Sequence, residues 1–508
     1  MKPTASFKKI TVNIICCLYI LLFVYAAFSK IIDFESFQIQ LGKSPIIDAF
    51  AIPLSFLVPL IEIGIALLLI STQYRFIALL CSLGLMTAFS IYIIIILNWS
   101  YYVPCSCGGI LEKLGWTEHL VFNMAFIVIA LVGLLFIKSE TAIGIQKSLQ
   151  GYNIVTPTRF VLILFLTMLL SSALVFGLYI TSDRGSHRNN AFQRHFPPQS
   201  PGLVNAIELK YNSFYIAGIS DGSIFLGNTT APLYALAVDT LLKNVTPLDF
   251  SLIEHTKNRQ FNSLQFRVLD SVYFLSDRSI PAIFKGTIGN WTATEIPGKF
   301  PSFSSIEPIS RNALGLVVND RVTKEDEIAV MMIDGVPNLK INPELLVKQV
   351  DGVFDTDGIL LYNQELNKII YVYYYRNQYV ITDDSAKFIS KGVTIDTVTT
   401  ATVKVTKNKS KNETTVAGVP VIINADAATY GNFLFIKSNR LGKSEPDRVL
   451  KQASIVDIYN LSRKRYAFSF YLYDYNNEKV RSFAVYGNLL VVLTNNHLVT
   501  YRLDSRLF

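Results

Sequence analysis

The chain has 508 residues, 51% of them hydrophobic and only 17% charged, with a mean hydropathy of +0.36 and a net charge of +8. Soluble domains carry about 25% charged residues, so these values exclude a chain that is soluble throughout, and equally a disordered one. The basic excess is scattered, and its densest run, Lys404 to Lys411, has no interleaved aromatic residues. It reads as a solvated loop, and nucleic acid is excluded as a partner.

The apolar surplus lies before residue 181, and the rest reads as a globular domain. Five runs reach the roughly 20 helical residues that a bilayer requires. They are Ile10–Phe28, Ala49–Ile70, Phe76–Leu97, Leu120–Ile137 and Phe160–Ile180. Lys8 and Lys9 precede the first, and Val24-Tyr25-Ala26 near its end resembles a leader cleavage site. Its apolar stretch exceeds the usual length of about 7–15 residues, so a retained span is expected. Lys2, Lys8, Lys9, Arg75, Lys138, Lys147 and Arg159 fall on one side of the membrane; Lys30, Lys43 and Lys113 are counted in loops on the other. The positive-inside rule then puts the N-terminus in the cytoplasm and the domain after span five outside it. Trp99, Tyr101 and Tyr102 suit an interfacial belt at the outer end of span three.

Cysteine is confined to the membrane part: all five lie before residue 108. Cys16, Cys17 and Cys81 sit at similar depths and read either as small apolar fillers or as a thiol relay. Glu62, in Pro59-Leu60-Ile61-Glu62-Ile63-Gly64, lies near mid-span. A carboxylate there costs about 2.5–3.5 kcal/mol to insert, so it is expected to face the bundle interior. A structural hydrogen bond, proton transfer and quinone contact all stand as roles for it. The outer loop after span three holds Tyr102-Val103-Pro104-Cys105-Ser106-Cys107-Gly108-Gly109. Two thiols one residue apart make a small, strained and exchangeable disulfide, and nearby Lys113 and His119 favour the thiolate. A static staple, a soft-metal half-site and idle thiols remain as alternatives; a metal site would need further ligands, and none is predicted.

Residues 1–140 resemble the DoxX-like, methylamine-utilisation MauE family of redox-associated membrane proteins. The resemblance rests on Tyr25-Ala26-Ala27-Phe28-Ser29-Lys30 with Asp33 and Phe37, on Pro59, Glu62 and Gly64, and on Pro104-Cys105-Ser106-Cys107-Gly108-Gly109 ahead of Trp116. It implies a four-helix membrane bundle in a bacterial inner membrane, engaged in forming or maintaining disulfides in exported proteins. Methylamine dehydrogenase maturation is the name-giving case. It puts Cys105 and Cys107 forward as the redox pair and Glu62 as a family position; Lys113 and His119 stand as support by their nearness to the pair alone. The partners implied are membrane lipid, an exported client or thioredoxin-like carrier, and other membrane-complex subunits. No cofactor is predicted, with quinone left open. The fifth span and the C-terminal domain lie beyond the resemblance. The contrasting reading is a membrane-anchored binding or assembly subunit without chemistry.

A polar, proline-bearing stretch over residues 181–204 reads as linker. Past it, short strands rich in Val, Ile, Tyr, Phe and Thr recur about every 40–75 residues. Tyr215–Leu226, Ser271–Phe284, Ala313–Val318, Gly358–Tyr375, Asn432–Ile436 and Leu489–Arg502 mark the series. A blade of four strands takes about 40–50 residues, which predicts a β-propeller of six or seven blades over residues 205–508, with long insertions in one or two and a β-sandwich pair as fallback. The final hairpin, turning at Asn495-Asn496, is placed to close the ring against the first strand. His255 and His497 are isolated, and His187 and His195 belong to the linker. Asp355 and Asp357 before Gly358 look like the start of a calcium loop without its later ligands, so a plain turn is expected. No nucleophile elbow, phosphate loop or dinucleotide fingerprint occurs.

Overall fold

The computed structural model describes residues 5–42, 44, 47, 50–99, 115–138, 157–181, 188–198, 201–254, 259, 261, 263–320, 323, 325–403, 405–408, 413–416, 420–446 and 448–507. The chain divides into two compact units: Met1–Asp183 with Lys404–Val419, and Arg184–Val403 with Pro420–Phe508.

In the first unit the helices are α1 (Ala5–Ile32), α2 (Phe34–Gly42), α3 (Ala51–Ile70), α4 (Arg75–Trp99), α5 (Trp116–Lys138) and α6 (Pro157–Thr181). All but the short α2 are long and apolar enough to cross a membrane, and they coincide with the five expected spans. Spacings of three and four bring Val12, Cys16, Tyr19 and Phe23 of α1 into one core with Ile65 and Leu69 of α3, Leu79 and Leu83 of α4, and Ala130 and Leu134 of α5. Outward positions are also apolar: Leu21 is 70% and Leu60 is 68% exposed. A bundle with apolar residues on both its inner and outer surfaces is built for lipid, which makes this a multi-pass membrane protein. α1 runs unbroken through Tyr25-Ala26, and Ala27 beyond them is fully buried. The helix packs into the core of the bundle. α6 packs on α4 and has few buried residues; it is an added helix beside a four-helix core.

The second unit is a six-bladed β-propeller. Its first blade is β2 (Phe214–Ser220), β3 (Ser223–Asn228), β4 (Tyr234–Asp239) and β5 (Val245–Asp249). The second is β7 (Leu264–Leu269), β8 (Val272–Asp277), β9 (Ala282–Thr287) and β10 (Asn290–Glu295), with β6 (Ser251–Ile253) added parallel to β10. Then come β11 (Phe303–Ser310) to β14 (Asn338–Asn342), β15 (Gly358–Asn363) to β18 (Phe388–Val393), and β21 (Asp426–Tyr430) to β24 (Arg465–Tyr473). The closing blade joins β25 (Ser482–Tyr486), β26 (Leu489–Leu493) and β27 (His497–Arg502) to β1 (Gly202–Glu208), with β1 antiparallel to β27. The expected ring closure is therefore present. The blade count settles at six because long connections, such as 343–357 and 394–425, lengthen two repeats. Within the basic run 404–411, expected in a loop, Val405–Asn408 form a strand, β19, which pairs antiparallel with β20 (Glu413–Val416) in a two-stranded sheet separate from the blades; the rest of the run lies outside the described residues.

One pairing recurs in three blades. Tyr215 stands opposite Gly227, Tyr273 opposite Gly286, and Tyr379 opposite Gly392. In each pair the ring lies across the bare glycine, so that a Cβ on Gly286 would fall 2.1 Å from Tyr273 Cζ. Tyr273 is fully buried and has no room to move. Gly286→Ala is expected to cost at least about 2 kcal/mol by overpacking; an unchanged urea midpoint would refute that.

The stretch read as linker is not one throughout. Residues 188–196 form a strap lying on the fifth blade (β21–β24). Arg188 pairs with Leu441 in a parallel bridge, and Phe196 stacks on Tyr471 at 4.3 Å. Arg194, its side chain fully buried, bridges Asp457 (Nε–Oδ1 2.6 Å) and Glu445 (Nη1–Oε1 3.0 Å) and donates to the Arg440 carbonyl at 2.9 Å. Burial works against its charge, but Asp457 and Glu445 outweigh that and raise its pKa. Arg440 in turn holds Asp396 at 2.9 Å, and Asn189 of the strap donates to Asp396 at 3.1 Å.

Candidate functional site

Within the bundle, two ionisable side chains, Lys30 of α1 and Glu62 of α3, meet. The inward stripe of α3, Ser55, Pro59, Glu62, Ala66 and Leu69, carries Glu62 to 1% exposure. The inward stripe of α1 continues from Phe23 and Ala27 to Lys30. Lys30 Nζ lies 2.7 and 3.0 Å from the two oxygens of Glu62 and donates to the Ala26 carbonyl at 3.2 Å. It also sits 5.8 Å from the centre of the Phe37 ring on α2, and Phe34 of α2 meets Phe56 of α3 at 4.8 Å. The arrangement can hold a charge-separated pair inside the bundle, or discharge it by moving one proton from Nζ to the carboxylate.

The inward direction expected for Glu62 is found; its partner was missed. Lys30 had been counted as an outer-loop charge, yet it lies inside α1 and faces the bundle. The signal available was the spacing: Lys30 is three residues after Ala27 and seven after Phe23, on the same helical face.

His119 lies half-buried in the first turn of α5, its ring 6.3 Å from Trp116. Cys105, Cys107 and Lys113 lie outside the described residues, as does the aromatic pair Tyr101 and Tyr102. Cys16, Cys17 and Cys81 are free thiols. Cys16 is buried in the core, whereas Cys17 and Cys81 are exposed on their helices. The three do not share one interior, so the filler reading fits Cys16 and the relay gains nothing. At the other end of α1, Asn13 accepts a bond from Arg75 Nη1 at 2.7 Å, tying α1 to the start of α4. Midway, the Tyr19 hydroxyl donates to the Phe126 carbonyl of α5 at 2.6 Å.

In the propeller, the carboxylate of Asp355 accepts from the backbone N–H groups of Gln349, Val350, Asp351 and Gly352 at 2.5–3.1 Å. Asp357 accepts from Gly358. These oxygens are occupied in shaping a turn. His497 is held by Glu478 at 3.2 Å, His195 belongs to the strap, and His187 and His255 lie outside the described residues. Among the described residues no three His, Cys, Asp or Glu side chains gather as a metal site.

Residues 8–136 match the family model described as Methylamine utilisation protein MauE. That segment contains Lys30, Glu62, Cys105, Cys107 and His119. No curated protein sequence matches the chain. Solved structures similar to it include one titled a Nidogen/Laminin complex, at 12% identity, TM-score 0.31, over 51% of this chain and 81% of that one. A second is titled YCF48 bound to D1 peptide, at 11% identity, TM-score 0.35, over 62% and 99%. A third is a member of the duf4221 family from Bacteroides vulgatus, at 11% identity, TM-score 0.35, over 62% and 98%. Likenesses this distant say nothing of what the chain binds.

Proposed function

We propose that this protein exchanges disulfides with exported client proteins through Cys105 and Cys107, and that its propeller presents the client. The chain joins a MauE-like membrane module to a propeller. The observation that carries the reading is the Cys-x-Cys pair inside the matched segment, in the connection between α4 and α5. The propeller has no cysteine, so any thiol chemistry belongs to the membrane module.

In the proposed reaction the Cys105–Cys107 disulfide is attacked by a client thiolate, and the second client thiol resolves the mixed disulfide. The client gains one disulfide and the pair becomes a dithiol. A membrane quinone or a thioredoxin-like disulfide carrier then takes the two electrons and two protons. Moving Lys30 from the outer loops into α1 leaves fewer basic residues on that side, which supports a cytoplasmic N-terminus and a propeller in the periplasm.

Acid quenching, maleimide mass-tagging and peptide mapping of native membranes read the state of the pair. The expected result is a mixed population that shifts under mild reductant. Cys105→Ser is expected to accumulate normally while client oxidation is lost. A pair that stays oxidised under reductant, or normal oxidation in the variant, would overturn the reading and leave a membrane-anchored binding subunit.

A further inference from the structure

The fourth blade leaves its outer edge open. Its outermost strand, β18, pairs with β17 (Gln378–Asp383) on one side only, and its residues make no other hydrogen bond or ion pair. Thr394, one place past β18, donates its N–H to the Asn377 carbonyl at 2.9 Å. Bonded and non-bonded pairs alternate along an antiparallel ladder, so the backbone groups of Lys391 and Val393 point away from β17. Such a row is a template for another strand.

The other outer edges are guarded. β10 is covered by β6, which runs parallel to it. On β24, the Ser469 N–H donates to the His195 carbonyl of the strap at 2.8 Å. β5 holds Pro247, β14 carries Lys340 at its centre, and a register shift between Leu203 and Asn205 bends β1. β18 has a bulge at Ile389 and one charge, Lys391. It nevertheless exposes three large apolar side chains, Phe388 (53%), Ile389 (45%) and Val393 (56%), whereas no other outermost strand exposes more than one. Lys387 and Lys391 are both exposed, and neither pairs with a carboxylate among the described residues.

We propose that β18 takes up an extended, acidic segment of the client protein as a fifth strand of the fourth blade. This rests on the reading in which the propeller presents the client, and it leaves the thiol step as it stands. The chain itself displays the kind of occupant: β6 and the strap are extended segments laid on the outer strands of the second and fifth blades. A client still lacking its disulfide offers segments of that kind with unpaired backbone. Main-chain bonds to Lys391 and Val393 supply affinity, and alternate apolar side chains beside Phe388 and Val393 supply preference. Lys387 and Lys391 select for acidic residues. A second copy paired antiparallel on the same strand would set Lys391 against or beside its own counterpart, a repulsive arrangement.

The test uses the full chain in phosphatidylcholine nanodiscs, with a fluorescent Glu-Val-Thr-Val-Glu-Val-Thr peptide followed by anisotropy against empty discs. Two further versions are N-methylated on alternate residues, which keeps every side chain and blocks one backbone edge. The version blocked on the edge facing β18 is expected to bind at least tenfold more weakly, and the other like the unmethylated peptide. Lys391→Glu is expected to invert the preference between this peptide and its counterpart with Lys in place of Glu. Its melting temperature should stay unchanged, since the side chain is exposed. No difference between the two methylated versions, or no inversion by Lys391→Glu, overturns the proposal. So does a dimer that Phe388→Ser dissolves while no peptide binds, which assigns the edge to a second copy. The peptide has no cysteine, so failure here leaves thiol exchange standing, and failure of thiol exchange leaves this binding readable.

Discussion

Arg194→Ala is expected to lower the melting temperature of the propeller by roughly 10 °C. Arg194 is fully buried and is the shared cation of Asp457 and Glu445. Asp457 further accepts from Ser469 at 2.5 Å, but that hydroxyl brings no charge. Removing the guanidinium strands two carboxylates beneath the strap, and breaking a buried pair in this way costs about 3–5 kcal/mol. In a large domain each kcal/mol shifts the midpoint by about 2–4 °C. Arg194→Met should fare no better, because the acids remain. Arg194→Met combined with Asp457→Asn and Glu445→Gln should regain most of the loss, since an ion cluster replaced as a whole leaves no orphaned charge. A single variant melting within 2 °C of the parent would show that the strap is not fastened by this residue.

The second large effect is expected in the membrane. Glu62→Leu leaves the Lys30 ammonium facing the bundle interior, and Lys30→Met leaves the Glu62 carboxylate there. Each is expected to cost several kcal/mol and to reduce accumulation in the membrane several-fold. The double variant restores a neutral, apolar contact between α1 and α3 and is expected to accumulate like the parent. Quantitative blotting of membranes reads the cycle. The proposed client oxidation, measured in the double variant, separates two roles: activity restored along with accumulation means a fastening between helices, while accumulation without activity means that the pair handles protons. Additive losses in the double variant would show that the two side chains do not depend on each other.

The sequence readings succeeded where the solvent writes the pattern. Lipid demands long apolar runs, so the five spans were plain from composition alone. The propeller's strands were equally plain, because half-buried strands must alternate and turn often. The strap was opaque for the opposite reason. Its polar residues and the prolines that follow, Pro197, Pro198 and Pro201, read as linker, and the partners that fix it are distant in the chain: Arg194 is separated from Glu445 by 251 positions and from Asp457 by 263. No local periodicity records such a contact. Lys30 fell between the cases. Its charge argued for a loop, whereas the run of buried positions before it argued for a helix face; the carboxylate across the bundle decided the matter.

The clasp between β1 and β27 also sets a timetable. Thr500 bonds to the Asn205 carbonyl across a separation of 295 residues, and closing a loop of that length costs roughly 5 kcal/mol of chain entropy before any constant term. The ribosome adds about 5–20 residues each second, so β1 emerges some 15–60 s before its neighbour exists. Throughout that interval its edge offers unpaired backbone groups to any passing strand. A product that stops short of residue 497 never covers this edge, so in this protein an exposed β1 is a mark of unfinished synthesis that a chaperone or protease can read.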